Sequence, residues 1–549
     1  PEQEKLLRTI SDQVVALTAK YGGLMWGEHG KGYRSEYGPA FFGPVLFNEL
    51  RKIKAAFDPE NRVNPGKICT PFDSNDQLVS VDDQKRGYFD RQIPVQVKDS
   101  FDSSLNCNGN GLCFNYEEQS PMCPSSKVTK DRRHSPKGRA GLMREWLRLM
   151  QQQGIDVLQQ EQQLLKKSSG FKASLQKLRN YRAKQQGQYD FSHEVMDAME
   201  GCLACKACAG QCPIKVDVPS FRSRFIQLYH SRYPRPLKDY LVGNIERSAP
   251  YLTKVARPVN WLLQRSFVAK VLETVVGYVD SPQLSVPSLQ QRIAGNYRFD
   301  LPTLQALNAE EKAKLVFLVQ DPFTSFYEAE LVADALKLLE TLGFSPVLLP
   351  FQPNGKPQHV KGFLREFAST AKTASEFLQQ IAGFGAPMLG LDASLVLVYR
   401  DEYVKALGQQ RGDYQVQLMH EWLVEQALPQ LPQTQQFKLL AHCTEKTALP
   451  ATEKAWQKIY AKAGLELSAV AVGCCGMAGT YGHEKQNQHN SKALYQMSWQ
   501  TPVQQIGAAQ VLVTGFSCRS QVKRMEGVKP KHPLQQLLQL LTQSAAKAS

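Results

Sequence analysis

Apolar residues at Leu6, Leu7, Ile10, Val14, Val15 and Leu17 recur at helical spacing and predict a helix over residues 5–20. A second helical segment is expected from Phe47 to Phe57. Ser135-Pro136 opens a third, which runs through Leu142, Met143, Trp146, Leu147 and Met150. Residues 151–190 are rich in Gln, Lys and Arg, with Leu158, Leu164, Leu165, Leu175 and Leu178 at helical intervals. They read as an inserted helical arm, a solvated pair in preference to a coiled-coil contact. Val218-Pro219-Ser220 starts a further helix through Phe221, Phe225, Ile226 and Leu228. Residues 240–280 are helical and apolar, including Trp261, Leu262, Phe267, Val271 and Val275, with Arg257, Arg265 and Lys270 among them. Packing against the preceding helical domain is favoured there over contact with a membrane surface near a quinone.

Beyond residue 312 the period changes. Residues 314–402 and 437–521 share a plan: a strand (Leu315–Val319, Phe437–Leu440), a helix, a glycine (Gly343, Gly464), a second strand, a turn, a helix and a late strand (Leu395–Val398, Val511–Val513). Alternating strands and helices predict two small α/β units with parallel sheets. The second copy carries Cys443, Cys474-Cys475-Gly476 and Cys518. Aligning Asp321 with Cys443 sets Gln352 and Pro353 opposite the vicinal pair, so the first copy lacks every thiol.

The remaining chemistry is written in cysteines. Cys202, Cys205, Cys208 and Cys212, with Pro213 behind the last, have the spacing by which bacterial ferredoxins hold cubane iron–sulfur clusters. A zinc site or free thiols is the competing reading. In two-cluster ferredoxins the cysteine before proline serves the other cluster, which predicts a second group. Cys107, Cys113 and Cys123-Pro124 supply it, with Asn110 where the middle thiol should stand. The exchange rule assigns Cys202, Cys205 and Cys208 with remote Cys123 to one complete [4Fe–4S] site. Cys107, Cys113 and Cys212 remain for a second. A cluster with an unusual ligand, a three-iron cluster or nothing would fit three thiols. In the α/β copy, Cys443, Cys474, Cys475 and Cys518 suit a cluster or zinc, with His442 and His483 as additional candidate ligands.

Twelve cysteines clustered in 549 residues argue for metal sites in a reducing compartment rather than a secreted disulfide scaffold, and a cytoplasmic location is expected. A net charge of +15 suits an anionic substrate, an acidic redox partner or a membrane surface, including a peripheral contact with the inner membrane. No helix-turn-helix, finger or aromatic basic platform supports nucleic acid. Residue 1 is proline and the first sixty residues read as the end of a domain, so the chain reads as part of a longer protein and as inactive by itself.

Gly27-Glu28-His29-Gly30-Lys31-Gly32, followed by Asp58-Pro59 and Asn64-Pro65-Gly66-Lys67, resembles the C-terminal end of FAD-linked 2-hydroxy-acid oxidases of the vanillyl-alcohol-oxidase superfamily. The resemblance implies that Glu28 ligates a divalent metal (Zn or Mn) holding the substrate's carboxylate and hydroxyl, that His29 is the base near the flavin, and that Asn64 approaches the flavin. The cysteine-bearing α/β copy resembles the CCG domain of heterodisulfide reductase and of iron–sulfur subunits of glycolate and lactate oxidation systems. Gln521 stands where that family's closing cysteine is expected.

The expected fold is therefore multidomain, α+β and α/β. It comprises a truncated FAD-oxidase C-terminal segment (1–72), an α-helical ferredoxin-like domain with its inserted arm (73–240), a helical connector (241–312) and a duplicated CCG-type α/β domain (313–549). The whole chain, in this order of modules, resembles the large bacterial FAD- and iron–sulfur-containing 2-hydroxy-acid dehydrogenases, and the resemblance implies FAD- and iron–sulfur-dependent oxidation of a D-2-hydroxy acid, D-2-hydroxyglutarate ahead of D-lactate or glycolate. A non-catalytic electron-transfer module is the rival from another class. A quinone or a redox protein as acceptor, and a homo-oligomeric state, are left open.

Overall fold

The computed structural model describes residues 2–25, 29–85, 87–166, 171–432, 435–507 and 510–548. It forms two compact units, Pro1–Gln92 and Ile93–Ser549. Helices and parallel sheets are mixed as the sequence predicts.

The first unit holds the helix Glu2–Lys20 and the helix Gly38–Phe57, which kinks where Gly43 adopts a positive φ ahead of Pro44. It runs past the expected boundary at residue 72, because the polar stretch after Pro71 folds back instead of extending away. Arg8 gathers it: its guanidinium donates to Glu36 Oε1 (3.0 Å), to Ser80 Oγ (2.9 Å) and to Asp82 Oδ2 (3.0 Å). Gly66 takes a positive φ, and a Cβ there would meet the Gln77 carbonyl oxygen at 2.7 Å.

In the second unit the helix Pro136–Gln152 starts where Ser135 Oγ accepts from the Gly138 N–H (3.0 Å) and Pro136 takes the first turn. Its apolar stripe, Ala140, Met143, Leu147 and Met150 beside Trp146, is buried against Val195, Met199, Phe221 and Phe225. Trp146 anchors this core by donating to Ser192 Oγ (3.0 Å) and by an edge-to-face contact with Phe225. The inserted arm forms two helices, Val157–Lys166 and Phe171–Gln185.

The repeat builds two parallel sheets. The first has the order β2-β1-β3-β4, with β1 Leu315–Leu318, β2 Ser345–Leu348, β3 Met388–Gly390 and β4 Val416–Leu418. The second has the order β6-β5-β7, with β5 Gln436–Leu440, β6 Glu466–Ala469 and β7 Val511–Val513. Leu318 pairs with Leu348 and Leu389 in the first, and Leu439 with Ala469 and Leu512 in the second. The two halves share one core, in which Leu336, Leu338 and Leu339 cluster with Leu534, Leu537 and Leu541 of the last helix.

Two sequence expectations are corrected. Leu395–Val398 lies in the helix Ala393–Arg400, not in a strand; Asp392 caps that helix by accepting from the Ser394 N–H (2.9 Å), and the strand precedes it as β3. A short run of apolar residues buried all round has no period that separates strand from helix. Residues 240–280 are helical, but Ala249, Ala256 and Val259 cluster with Leu284 of the connector and with Phe326 and Phe351 of the α/β region, and not with the core of the cysteine-bearing helical domain. Trp261, Phe267 and Val275 are exposed. Among the described residues no helix is long and apolar enough to cross a membrane.

Candidate functional site

Eleven of the twelve cysteines fall in the second unit, and ten of them line three cavities that share walls. The first cavity is lined by Cys123, Cys202, Cys205 and Cys208. Its loops need unusual backbone: Cys123, Ala204 and Lys206 all adopt left-handed φ, and thiols from two separate loops line the one cavity. The second cavity, of the same size, is lined by Cys107, Cys113, Cys208 and Cys212, with Asn110 on its wall. Cys208 therefore stands between the two.

The third cavity is larger and lies between the Cys202–Cys205 loop and the α/β repeat. Its thiols arrive by topology. Cys443 follows the carboxyl end of β5, Cys474 and Cys475 follow that of β6, and Cys518 that of β7, so a parallel sheet delivers all four to one edge. Gly476 permits the turn; its φ is positive and a Cβ would sit 2.2 Å from the Ser491 carbonyl oxygen. Thiol hydrogen bonds run from Cys443 to Cys474, on to Cys475 and on to Cys518. Cys518 closes this chain from behind without lining the cavity.

Burial disfavours the thiolate form at several of these cysteines. Burial holds the Cys123, Cys205, Cys208 and Cys518 thiols above the ordinary thiol range. Cys443 is pushed far up by its bond to Cys474 and by burial. A buried thiolate is costly without positive charge, and a bound metal both supplies that charge and deprotonates the thiol. Among the described residues no three His, Cys, Asp or Glu converge on a point that one ion could occupy. A single zinc ion needs sulfur at about 2.3 Å on every side. Thiols spaced around a cavity suit a cluster core instead, so the donor sets of the two smaller sites fit iron–sulfur groups.

Three residues beyond the sequence candidates belong to this region. Arg139 is buried, donates to the Ala198 carbonyl (2.7 Å) and to Ser125 Oγ (3.0 Å), and points a guanidinium nitrogen at Cys123 Sγ (3.9 Å). Lys127 is pushed down to about 8 by burial while feeling Cys123 and Cys474. Asp392, at the carboxyl end of β3, lines the large cavity and accepts from the Phe516 N–H (3.1 Å). Only the Ser-Pro-Lys-Gly-Arg139 helix start and the Cys123-Pro124 dipeptide marked this neighbourhood in the sequence.

Of the histidine candidates, His442 lines the large cavity and holds Ser517 Oγ at 3.3 Å from Nε2. His483 lies apart from the thiols, with Nδ1 on the Val279 carbonyl (3.2 Å). Gln521 is fully buried and donates to Ser491. In the first unit, Glu28 lies outside the described residues; His29 is exposed, and Asn64 is an exposed left-handed residue in a turn.

Residues 1–68 match the family described as FAD linked oxidases, C-terminal domain. Over 547 residues the chain is 55% identical to a D-2-hydroxyglutarate dehydrogenase of Pantoea ananatis, covering 98% of this chain and 53% of that protein. A D-2-hydroxyglutarate dehydrogenase of Escherichia coli is 54% identical, with 98% and 54% covered. Close homologues of this chain are thus D-2-hydroxyglutarate dehydrogenases. The chain spans about half the length of these curated relatives. A more distant relative, one of the subunits of the anaerobic glycerol-3-phosphate dehydrogenase of Escherichia coli, is 24% identical over 396 residues, 63% of this chain and 99% of that one.

Proposed function

We propose that this chain carries electrons in an FAD- and iron–sulfur-dependent oxidation of D-2-hydroxyglutarate to 2-oxoglutarate. The observation that carries the reading is the run of three thiol-lined cavities with shared walls: Cys208 belongs to the second and first, and Cys202 and Cys205 to the first and third. On this reading residues 93–240 are a ferredoxin-like domain and the repeat is a CCG-type domain. Cys123, Cys202, Cys205 and Cys208 hold a [4Fe–4S] cluster; Cys107, Cys113 and Cys212 hold a second; Cys443, Cys474, Cys475 and Cys518 hold a third group.

Bound FAD supplies two-electron chemistry and the clusters one-electron steps. Within the first unit, His29 would take the hydroxyl proton of the substrate, Glu28 would ligate a divalent metal that holds the substrate's carboxylate and hydroxyl, and Asn64 would approach the flavin. Similarity of residues 1–68 to the C-terminal domain of FAD linked oxidases, and of nearly the whole chain to D-2-hydroxyglutarate dehydrogenases, supports this assignment.

The test is anaerobic purification of the native gene product, with iron, sulfide and flavin analysis and flavin bleaching by D-2-hydroxyglutarate, D-lactate and glycolate in parallel. Bleaching fastest with D-2-hydroxyglutarate, abolished in His29→Ala, is expected. Preference for another acid overturns the substrate; absence of flavin overturns the dehydrogenase. The similarity to nearly the whole of a single glycerol-3-phosphate dehydrogenase subunit favours, as second reading, an electron-transfer module serving a separate dehydrogenase. For the acceptor, exposed Trp261, Phe267 and Val275 beside Lys254, Arg257 and Lys270 support a peripheral contact with an anionic membrane, where a quinone is met. Co-sedimentation with anionic but not neutral vesicles checks this.

A further inference from the structure

We infer that the second cavity is a three-iron site: a [3Fe–4S] cluster held by Cys107, Cys113 and Cys212, with its open corner at Asn110. This rests on the reading that these thiols hold iron, and it specifies what they hold.

The first argument is the cavity. Loss of one thiol from a four-thiol site, with nothing retained in its place, lets a core collapse into the gap. Here a cavity remains, and it matches in size the fully furnished site beside it. Its three thiols keep the ferredoxin arrangement, Cys107 and Cys113 from one loop and Cys212 from the other motif. Cys208, which also lines it, lies in the four-thiol set of the first cavity, so it cannot complete the second without depriving the first.

The second argument is what Asn110 does. Its carboxamide oxygen accepts from the Leu112 N–H (3.0 Å), and its nitrogen donates to Asn108 Oδ1 (3.0 Å). Asn108 Oδ1 also accepts from the Asn110 N–H (3.1 Å). Gly109 and Gly111, both at positive φ, flank it. The side chain is spent on holding the loop and is exposed at the cavity mouth. A carboxamide is moreover a poor exchange for thiolate at iron in a sulfide core, where soft ligands are preferred. Three thiolates then bind three irons, one each, and the corner facing Asn110 carries no iron.

A three-iron core is paramagnetic when oxidised, whereas an oxidised four-iron cubane of the ferredoxin type is diamagnetic. The anaerobically purified native gene product should therefore show an oxidised-state electron paramagnetic resonance signal that disappears in Cys212→Ser and in Cys113→Ser. Asn110→Cys should remove the same signal while adding about one iron per chain. Iron present with no oxidised-state signal, or a signal untouched by Cys212→Ser and Cys113→Ser, overturns the inference. Protein free of iron and sulfide overturns the underlying reading instead, so the two failures are distinct.

Discussion

The hydroxyl of Thr444 donates to the carbonyl oxygen of Cys205 at 3.1 Å, tying the loop of the first cavity to the helix Cys443–Ala448 that carries a thiol of the third. The contact is tight along its length. A Cβ on Gly210 would lie 2.4 Å from the Thr447 carbonyl oxygen, and backbone cannot yield as a flexible side chain can. Gly210→Ala should therefore push the helix Ala207–Gln211 away from its neighbour, costing about 1–3 kcal/mol. Thermal unfolding should show the loss. Thr444→Val, which removes one hydrogen bond and keeps the shape, should cost roughly 1 kcal/mol. A Gly210→Ala protein as stable as its parent would show that the two elements are not seated as described.

Arg139 makes a separable contribution. Its guanidinium satisfies the Ala198 carbonyl and Ser125 while setting a positive charge near Cys123. Arg139→Met leaves those acceptors buried and unpaired, at a cost of about 2–5 kcal/mol. It also withdraws positive charge from the first cavity, so the potential of a group bound there should fall. Arg139→Lys keeps the charge but not the planar fork, and should restore the potential better than the stability. Redox titration and denaturant unfolding of both variants separate the two effects.

The parts legible in the sequence were those fixed by period or by local spacing. The Ala140, Met143, Leu147 and Met150 stripe announced its helix, and strand–helix alternation announced parallel sheets. Leu395–Val398 misled because residues buried on all sides carry no period, and with that segment read as the late strand neither β3 nor β4 beside it was read. The meeting of Cys202 and Cys205 with Cys443 and Cys474 was invisible for a different reason. It depends on how a parallel sheet's carboxyl edge is set against a loop more than two hundred residues away in the chain, which no local pattern encodes. Arg139 was hidden likewise, since an arginine in a basic stretch reads as surface until its partners are known.

Asp321 gives a pH dependence in the thiol-free half. Its Oδ1 caps the helix Pro322–Tyr327, accepting from the Phe323 and Thr324 N–H groups at 2.9 and 2.8 Å. Burial, with the Asp392 carboxylate adding to it, pushes its carboxyl up to about 7 from an ordinary 3.8. A carboxyl with a raised folded-state value supports the fold fully when pH is below the unfolded value, and that support is lost as pH rises through about 7. Asp321→Asn keeps the capping oxygen and removes the titration. Parent and variant should melt together near pH 4, and the variant should melt higher by a few degrees near pH 8. Parallel melting curves across that range would exclude the assignment.

Arg519 follows Cys518 directly, and it binds across the repeat. It is almost fully buried, donates to Glu328 Oε2 from Nε (3.1 Å), and reaches the Val513 and Thr514 carbonyls (3.0 and 2.7 Å) at the end of β7. Glu328 belongs to the thiol-free half, so this pair fixes the helix of Cys518 against the other copy. Arg519→Met should cost about 3–5 kcal/mol, because it strands a buried carboxylate whose remaining cation is Lys529 at 2.6 Å. Removing both charges in Arg519→Met/Glu328→Met should recover part of that loss, since the pair's worth is small compared with the penalty of breaking it. Denaturant unfolding of the two single variants and the double variant measures the coupling. If the double variant is as unstable as the sum of the singles, the residues act independently, and the helix of Cys518 is positioned by its packing alone.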